Sequence, residues 1–162
     1  MVLSVEDRNF DLYLNFWDKN TGKKTSKLLS NISDKLRVAM SLETSSDDSV
    51  VFLGGCDRLD LDSANPVLSA FSFDHSMTEA ACLELSSKDM NNVYSIKRLE
   101  GCNTLLISGS KIISIIEYDK LLEKFSELKQ LRNIHSGPIY SFTLRNKDIF
   151  SVSPVDNYVH KF

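Results

Sequence analysis

The sequence predicts an all-β protein, a partial β-propeller built from four-stranded antiparallel blades, on three observations. Short apolar runs alternate with polar turn clusters along the whole 162-residue chain. Four of these runs close on an aromatic residue: Trp17, Phe73, Tyr118 and Phe162, at intervals of 56, 45 and 44 residues. The first three are each followed by an aspartate (Asp18, Asp74, Asp119). A period of about 40–45 residues is the length of one propeller blade. The third observation is a shared internal spacing. Asp11, Leu14 and Trp17 stand at the same intervals as Asp156, Val159 and Phe162.

The elements follow in order, as blade segments 1–31, 36–86, 92–131 and 134–162. In the first, Val2 to Val5 is a short strand, and FDLYLNFW alternates as a half-buried strand should. Asp18-Lys19-Asn20-Thr21-Gly22 makes a hairpin turn, with Gly22 free to take positive φ. The second segment offers four runs: LRVAMSLET, SVVFLGGCD, NPVLSAFSFD and AACLELSS. A polar loop from Arg58 to Pro66 is roughly ten residues longer than a hairpin needs and stretches the first interval. The third segment gives NVYSIKRLE, NTLLISGS, KIISIIEYD and a run from Leu121 to Leu131. That last run fits an outer strand by position, but Leu121, Leu122, Phe125 and Leu128 would also line one face of a helix. The fourth begins at IHSGPIYSFTLR and continues through DIFSVSPVDNYVHKF.

The segment LYLNFWDKNTGK resembles the WD-repeat family, whose blades end the third strand in Trp-Asp and turn through Thr-Gly into the fourth. The resemblance spans nearly the whole chain, although only Trp17-Asp18 keeps the namesake dipeptide. It implies a network joining an inter-blade His, a second-strand Ser or Thr, the turn Asp and the third-strand Trp. By position His135, Ser151 or Ser153, and Asp156 would supply three members. Phe162, without an N–H, would not supply the fourth.

Composition narrows the function classes. Hydrophobic content of 42% and charged content of 25% are ordinary for a globular chain. A net charge of −3 gives no field to attract a polyanion, so nucleic acid is not an expected partner. No apolar run approaches the ~20 residues of a membrane span, and no leader pattern opens the chain. The expected compartment is cytoplasmic, or nuclear, by default. Cys56, Cys82 and Cys102 form no CxxC pair and read as structural thiols of a reducing compartment. His75, His135 and His160 show no metal-ligand spacing, so neither a metal nor another cofactor is expected. The acids Asp57, Asp60 and Asp62 alternate as Ca²⁺ ligands can, yet lack the glycine hinge and bidentate glutamate. Nucleophile-elbow and phosphate-loop motifs do not occur.

By these assignments the first blade lacks an inner strand and the last an outer one. Open blade edges need covering, by another chain or by the rest of a longer propeller, and two copies head to tail do not tile into whole blades. Propellers of the resembled family act as interaction platforms, so the expected function is a non-catalytic protein–protein scaffold. Arg58, Asp60 and Asp62 on the long loop, and Lys23, Lys24 and Lys27 on the first outer strand, are the candidate partner-binding residues. Two alternatives stand beside this reading. One is a propeller-type hydrolase with its site at the central channel. The other is a phosphoinositide-binding module using the three lysines.

Overall fold

A computed structural model describes residues 2–8, 11–28, 33–72, 78–85, 89–145 and 148–162. Four antiparallel sheets follow one another along the chain. The first contains β1 (Val2–Arg8), β2 (Asp11–Trp17) and β3 (Lys24–Leu28). The second contains β4 (Val38–Thr44), β5 (Val50–Cys56), β6 (Pro66–Ser72) and β7 (Glu79–Glu84), paired in sequence order. The third runs through β8 (Ser95–Arg98), β9 (Thr104–Ser108), β10 (Ile113–Asp119) and β11 (Lys124–Leu131). The fourth holds β12 (Ser141–Arg145), β13 (Asp148–Val152) and β14 (Val159–Lys161). The architecture is an all-β partial propeller. Of the first strands, β8 lies between β4 and β12 and contacts both. No helix of the described residues is long and apolar enough to cross a membrane.

The blade interiors explain why the middle strands read as continuous apolar runs. Successive side chains of a strand point to opposite faces, and here both faces are covered. In β5, Val51 and Leu53 pack toward Leu12 and Leu14 of the preceding blade and Leu36 ahead of β4. Val50 and Phe52 point the other way, against Ile96, Leu105 and Ile107 of the following one. The alternation continues in β9. Leu105 and Ile107 face back, while Leu106 joins Ile113, Ile139 and Phe142 toward the fourth blade. Fully burying each such side chain stabilises the fold by about 1.5–3 kcal/mol.

Three of the four periodic aromatics lie at one topological position, the end of a strand opposite the start of the strand before it. Trp17 pairs with Val2. The Tyr118 N–H donates to the Asn103 carbonyl at 3.1 Å. Phe162 exchanges two 3.0 Å backbone bonds with Ile149. Phe73 and Asp74 lie outside the described residues. The following aspartates do the same work twice. Asp18 accepts the N–H groups of Asn20 and Thr21 at 2.8 and 3.1 Å, and Asp119 those of Leu121 and Leu122 at 2.9 and 3.0 Å. These N–H bonds hold the Asp18 carboxyl below its ordinary pKa. β2 and β3 therefore correspond to β10 and β11, and β1 to a second strand. Burial differs among the aromatics. Tyr118 sits edge-on to Phe52 at 5.2 Å, whereas Trp17 and Phe162 are 37% and 42% exposed.

The run from Leu121 resolves as a turn and a strand. Leu121 and Leu122 are exposed in the turn that Asp119 closes, and Phe125 is buried where β11 begins. The aspartate takes the N–H groups a helix start would have used.

Blades are joined by backbone bonds at one repeated place. The Val93 N–H, two residues ahead of β8, donates to the Gly55 carbonyl at 3.1 Å. The Ile139 N–H, two residues ahead of β12, donates to the Gly109 carbonyl at 3.1 Å. Close approach demands glycine at the first of these. A Cβ on Gly55 would stand 1.6 Å from the Val38 carbonyl oxygen, where β4 bulges between Ala39 and Ser41. Gly55→Ala is expected to cost at least ~3 kcal/mol, above the usual overpacking penalty because backbone cannot step aside. Gly101, at φ +75° with open space around it, isolates the conformational cost. Gly101→Ala should lose only about 1–2 kcal/mol. Urea unfolding of both variants measures the difference, and equal losses would refute the close-approach account.

Candidate functional site

Antiparallel order places the loops after every second and fourth strand at the same end of the propeller. At that end each inner strand is announced by a buried aliphatic residue and then one residue at the rim. The pairs are Leu36-Arg37 before β4, Val93-Tyr94 before β8 and Ile139-Tyr140 before β12. The aliphatic members are no more than 2% exposed and lock the loops into the inter-blade clusters. Backbone bonds fix the rim residues as well. The Arg37 N–H donates to the Cys56 carbonyl, and the Tyr94 N–H to the Ser108 carbonyl, both at 2.9 Å.

The rim side chains form two connected parts. Tyr94 and Tyr140 meet edge to face with centroids 4.9 Å apart, and Tyr140 is half exposed. The Tyr94 hydroxyl donates to Asn91 Oδ1 at 3.3 Å, and the Ser110 hydroxyl donates to the same oxygen. Asn91 Nδ2 then donates to the Leu61 carbonyl at 3.2 Å, tying the third blade to the long loop of the second. Burial pushes the Tyr94 phenol up, with Tyr140 adding to it, so Tyr94 keeps its proton at neutral pH. The other part is a cleft of about 440 Å³ lined by Leu12, Arg37, Val38, Met40, Leu59 and Leu61 among others. Arg37 is its only cation among the lining residues, is exposed, and pairs with no acid among the described residues. Leu61 belongs to both parts, its side chain in the cleft and its carbonyl on Asn91.

The residues singled out from sequence are placed as follows. His135, Ser151 and Asp156 come together in the fourth blade. His135 Nδ1 lies 2.6 Å from Asp156 Oδ2, and Nε2 lies 2.9 Å from the Ser151 hydroxyl. Ser153 is not the partner, since its hydroxyl accepts the Val155 N–H at 3.3 Å. The order matches a hydrolytic Ser–His–Asp relay, but Ser151 and the His135 side chain have no exposed surface. An ester carbonyl has no path to Ser151, so these residues fasten the loop before β12 to the turn before β14. His160, which sequence spacing left unrelated, stands edge-on to His135 at 4.5 Å. His75 lies outside the described residues.

The long loop binds itself. Asp57 accepts Asn65 N and Nδ2 at 2.7 and 2.8 Å, and Asp60 accepts the Asp62 N–H and the Ser63 hydroxyl at 3.2 and 2.9 Å. Arg58 reaches Asp57 only at 3.8 Å and remains largely exposed. Of the three lysines, Lys24 is committed to Glu6 at 2.8 Å and stacks over Trp17, Lys27 is partly buried, and Lys23 is exposed. They do not form one open basic patch. Arg37, Asn91, Tyr94, Ser110 and Tyr140 are not legible from the runs, because they lie in the loops between strands. The detectable signal was the aliphatic–rim pair repeated ahead of three runs.

Comparison with known proteins follows the fold. No protein-family model and no curated protein matches the sequence. Solved structures do match. A proposed 6-phosphogluconolactonase from Bacteroides fragilis superposes with a TM-score of 0.64 at 15% identity, over 93% of this chain and 43% of that one. A protein from Lactobacillus plantarum gives 0.62 at 10% identity, over 91% and 43%. A proposed 6-phosphogluconolactonase from Bacteroides uniformis gives 0.53 at 11% identity, over 98% and 62%. The chain thus spans less than two thirds of each of these proteins. At such identity the likeness establishes the propeller fold. It corrects the resemblance to the WD-repeat family, for two of these three structures carry a lactonase name and none a WD-repeat name. The expectation of a non-catalytic scaffold falls with it, because the neighbours are named as enzymes. The Trp-Asp and Thr-Gly pattern reflects a hairpin turn that any antiparallel blade can use.

Asp156 carries a pH signature. Its carboxyl is held below the ordinary value chiefly by the Ser136 hydroxyl, with burial opposing and His135 and the Ser136 N–H adding to the lowering. A carboxyl whose folded pKa is depressed stabilises the protein above its unfolded pKa of about 3.9 and loses that contribution as pH falls through the folded value. Wild type should therefore exceed Asp156→Asn in stability at pH 7, and the gap should close below about pH 4. Urea midpoints at several pH values check this, and a gap independent of pH would refute it.

Proposed function

We propose that this chain is part of a hydrolase-type propeller that opens the ring ester of a small sugar-acid lactone at the loop end of its axis. The observation that carries the reading is the alignment of Arg37, Tyr94 and Tyr140 at one rim position of three successive blades. The likeness to propellers named as 6-phosphogluconolactonases supports it.

The chemistry asks for few groups. Water adds to the lactone carbonyl carbon, the ring C–O bond breaks, and the ring oxygen leaves as an alcohol after taking a proton. The new carboxylic acid releases a proton at neutral pH. Hydrogen-bond donors aimed at the carbonyl oxygen stabilise the charge that develops there. Tyr94 keeps its phenolic proton, which turns from Asn91 Oδ1 to the carbonyl oxygen when substrate binds, and Tyr140 offers an exposed ring against which a sugar face can pack. Arg37 supplies a permanent cation for an anionic substituent such as a phosphate, and its planar fork suits two oxygens at once. Leu59 and Leu61 give the cleft an apolar wall beside that contact.

Hydrolysis of 6-phosphogluconolactone by the purified protein, followed as proton release above the spontaneous rate, tests the proposal. Arg37→Ala should lower kcat/KM by roughly 10–100-fold, the value of one charge-assisted hydrogen bond. Its melting temperature should stay unchanged, since the side chain makes no ion pair among the described residues. Proton release at the spontaneous rate in the wild type would overturn the reading.

A further inference from the structure

We infer that His135, Asp156 and His160 form a binding site for a borderline-soft divalent cation such as Zn²⁺, on the fourth blade and apart from the axial rim. Each residue offers one ligand atom, and these atoms lie within 4.8 Å of one another. Two imidazoles and a carboxylate are a donor set that zinc favours, with a fourth position left for water.

The three residues come from three different parts of the blade. His135 is in the loop before β12, Asp156 in the turn between β13 and β14, and His160 in β14 itself. The hydrogen-bonded relay explains the first two and leaves His160 unexplained. Its ring stands edge-on to His135 and stacked on Phe162, yet its nitrogens make no hydrogen bond among the described residues. An imidazole placed beside a carboxylate and a second imidazole offers a third ligand atom to a cation.

The surroundings have the form of a prepared metal site. Metal-bound histidines nearly always use their other ring nitrogen on a fixed partner, which sets tautomer and orientation. His135 Nε2 has that partner in Ser151 at 2.9 Å, leaving Nδ1 directed at Asp156. Asp156 is oriented in turn by the Ser136 N–H at 3.0 Å on its second oxygen. Tetrahedral zinc ligands stand about 3.3–3.5 Å apart, as bond lengths of about 2.1 Å require. The His135 and Asp156 ligand atoms, 2.6 Å apart, must therefore separate by about 1 Å, and His160, partly exposed on a strand at the blade surface, must move inward. The cation takes the place of the proton between His135 Nδ1 and Asp156, and the bound imidazole carries its one ring proton on Nε2, donated to the Ser151 hydroxyl.

The test uses the full chain with Cys82 and Cys102, both exposed, changed to serine so that thiols do not compete. Zn²⁺ at a hundredfold excess over its Kd should raise the melting temperature by about 5–10 °C. Co²⁺ should give tetrahedral absorption at visible wavelengths. His160→Phe retains a ring to stack on His135 and removes the ligand atom. This variant should keep the metal-free melting temperature and lose both the Zn²⁺ shift and the Co²⁺ spectrum. A parent protein that shows neither response, or a variant that retains both, overturns the proposal.

Discussion

The structure depends on one backbone contact made at each joint between its later blades. The loop ahead of an inner strand donates an N–H to the carbonyl ending the second strand of the blade before it, at Val93 to Gly55 and at Ile139 to Gly109. A sheet with two apolar faces has many ways to lie against its neighbour, since hydrophobic contact is not directional. A hydrogen bond is directional, and a buried N–H left without one is costly. The bond selects one rotation and one height for each blade. Glycine at position 55 serves the blade itself, because a Cβ there would strike the backbone of the paired strand β4.

Everything at the loop end inherits that geometry. Once Leu36, Val93 and Ile139 are seated between blades, the residue following each is delivered to the rim whatever its chemistry. The packing residues are interchangeable in kind, and the rim residues are not: one guanidinium and two phenols. This separation lets a propeller keep its core while its rim changes function. The fourth blade shows the same economy away from the axis. A buried His135 and Asp156 fasten two loops, and the strand that follows brings His160 beside them.

Much of the fold was legible in the sequence. The alternation of FDLYLNFW marked a half-buried strand, SVVFLGGCD stood out as one of four strand-like runs, and the aromatic period gave the blade length. The turn aspartates were legible because an Asp side chain satisfies local N–H groups wherever it sits. The Leu121 segment was ambiguous, since its apolar spacing serves a helix as well as a turn followed by a strand. The family was misread for a related reason. Trp17-Asp18 and Thr21-Gly22 are a local solution to a hairpin turn, and local solutions recur in propellers with different work to do.

The sequence by itself determined the strands, their turns and the repeat, because these follow from side-chain periodicity and from bonds between residues close in the chain. Tertiary structure alone decided which residues meet. Arg37, Tyr94 and Tyr140 are tens of residues apart and share only a preceding aliphatic residue, yet the burial of Leu36, Val93 and Ile139 between blades brings them to equivalent rim positions. It also decided that Ser151 and not Ser153 receives His135, and that His160 stands beside both His135 and Asp156. Strand register sets such choices, since a shift of one residue turns a side chain to the opposite face. Register is fixed by the packing of whole sheets, which no local stretch of sequence contains.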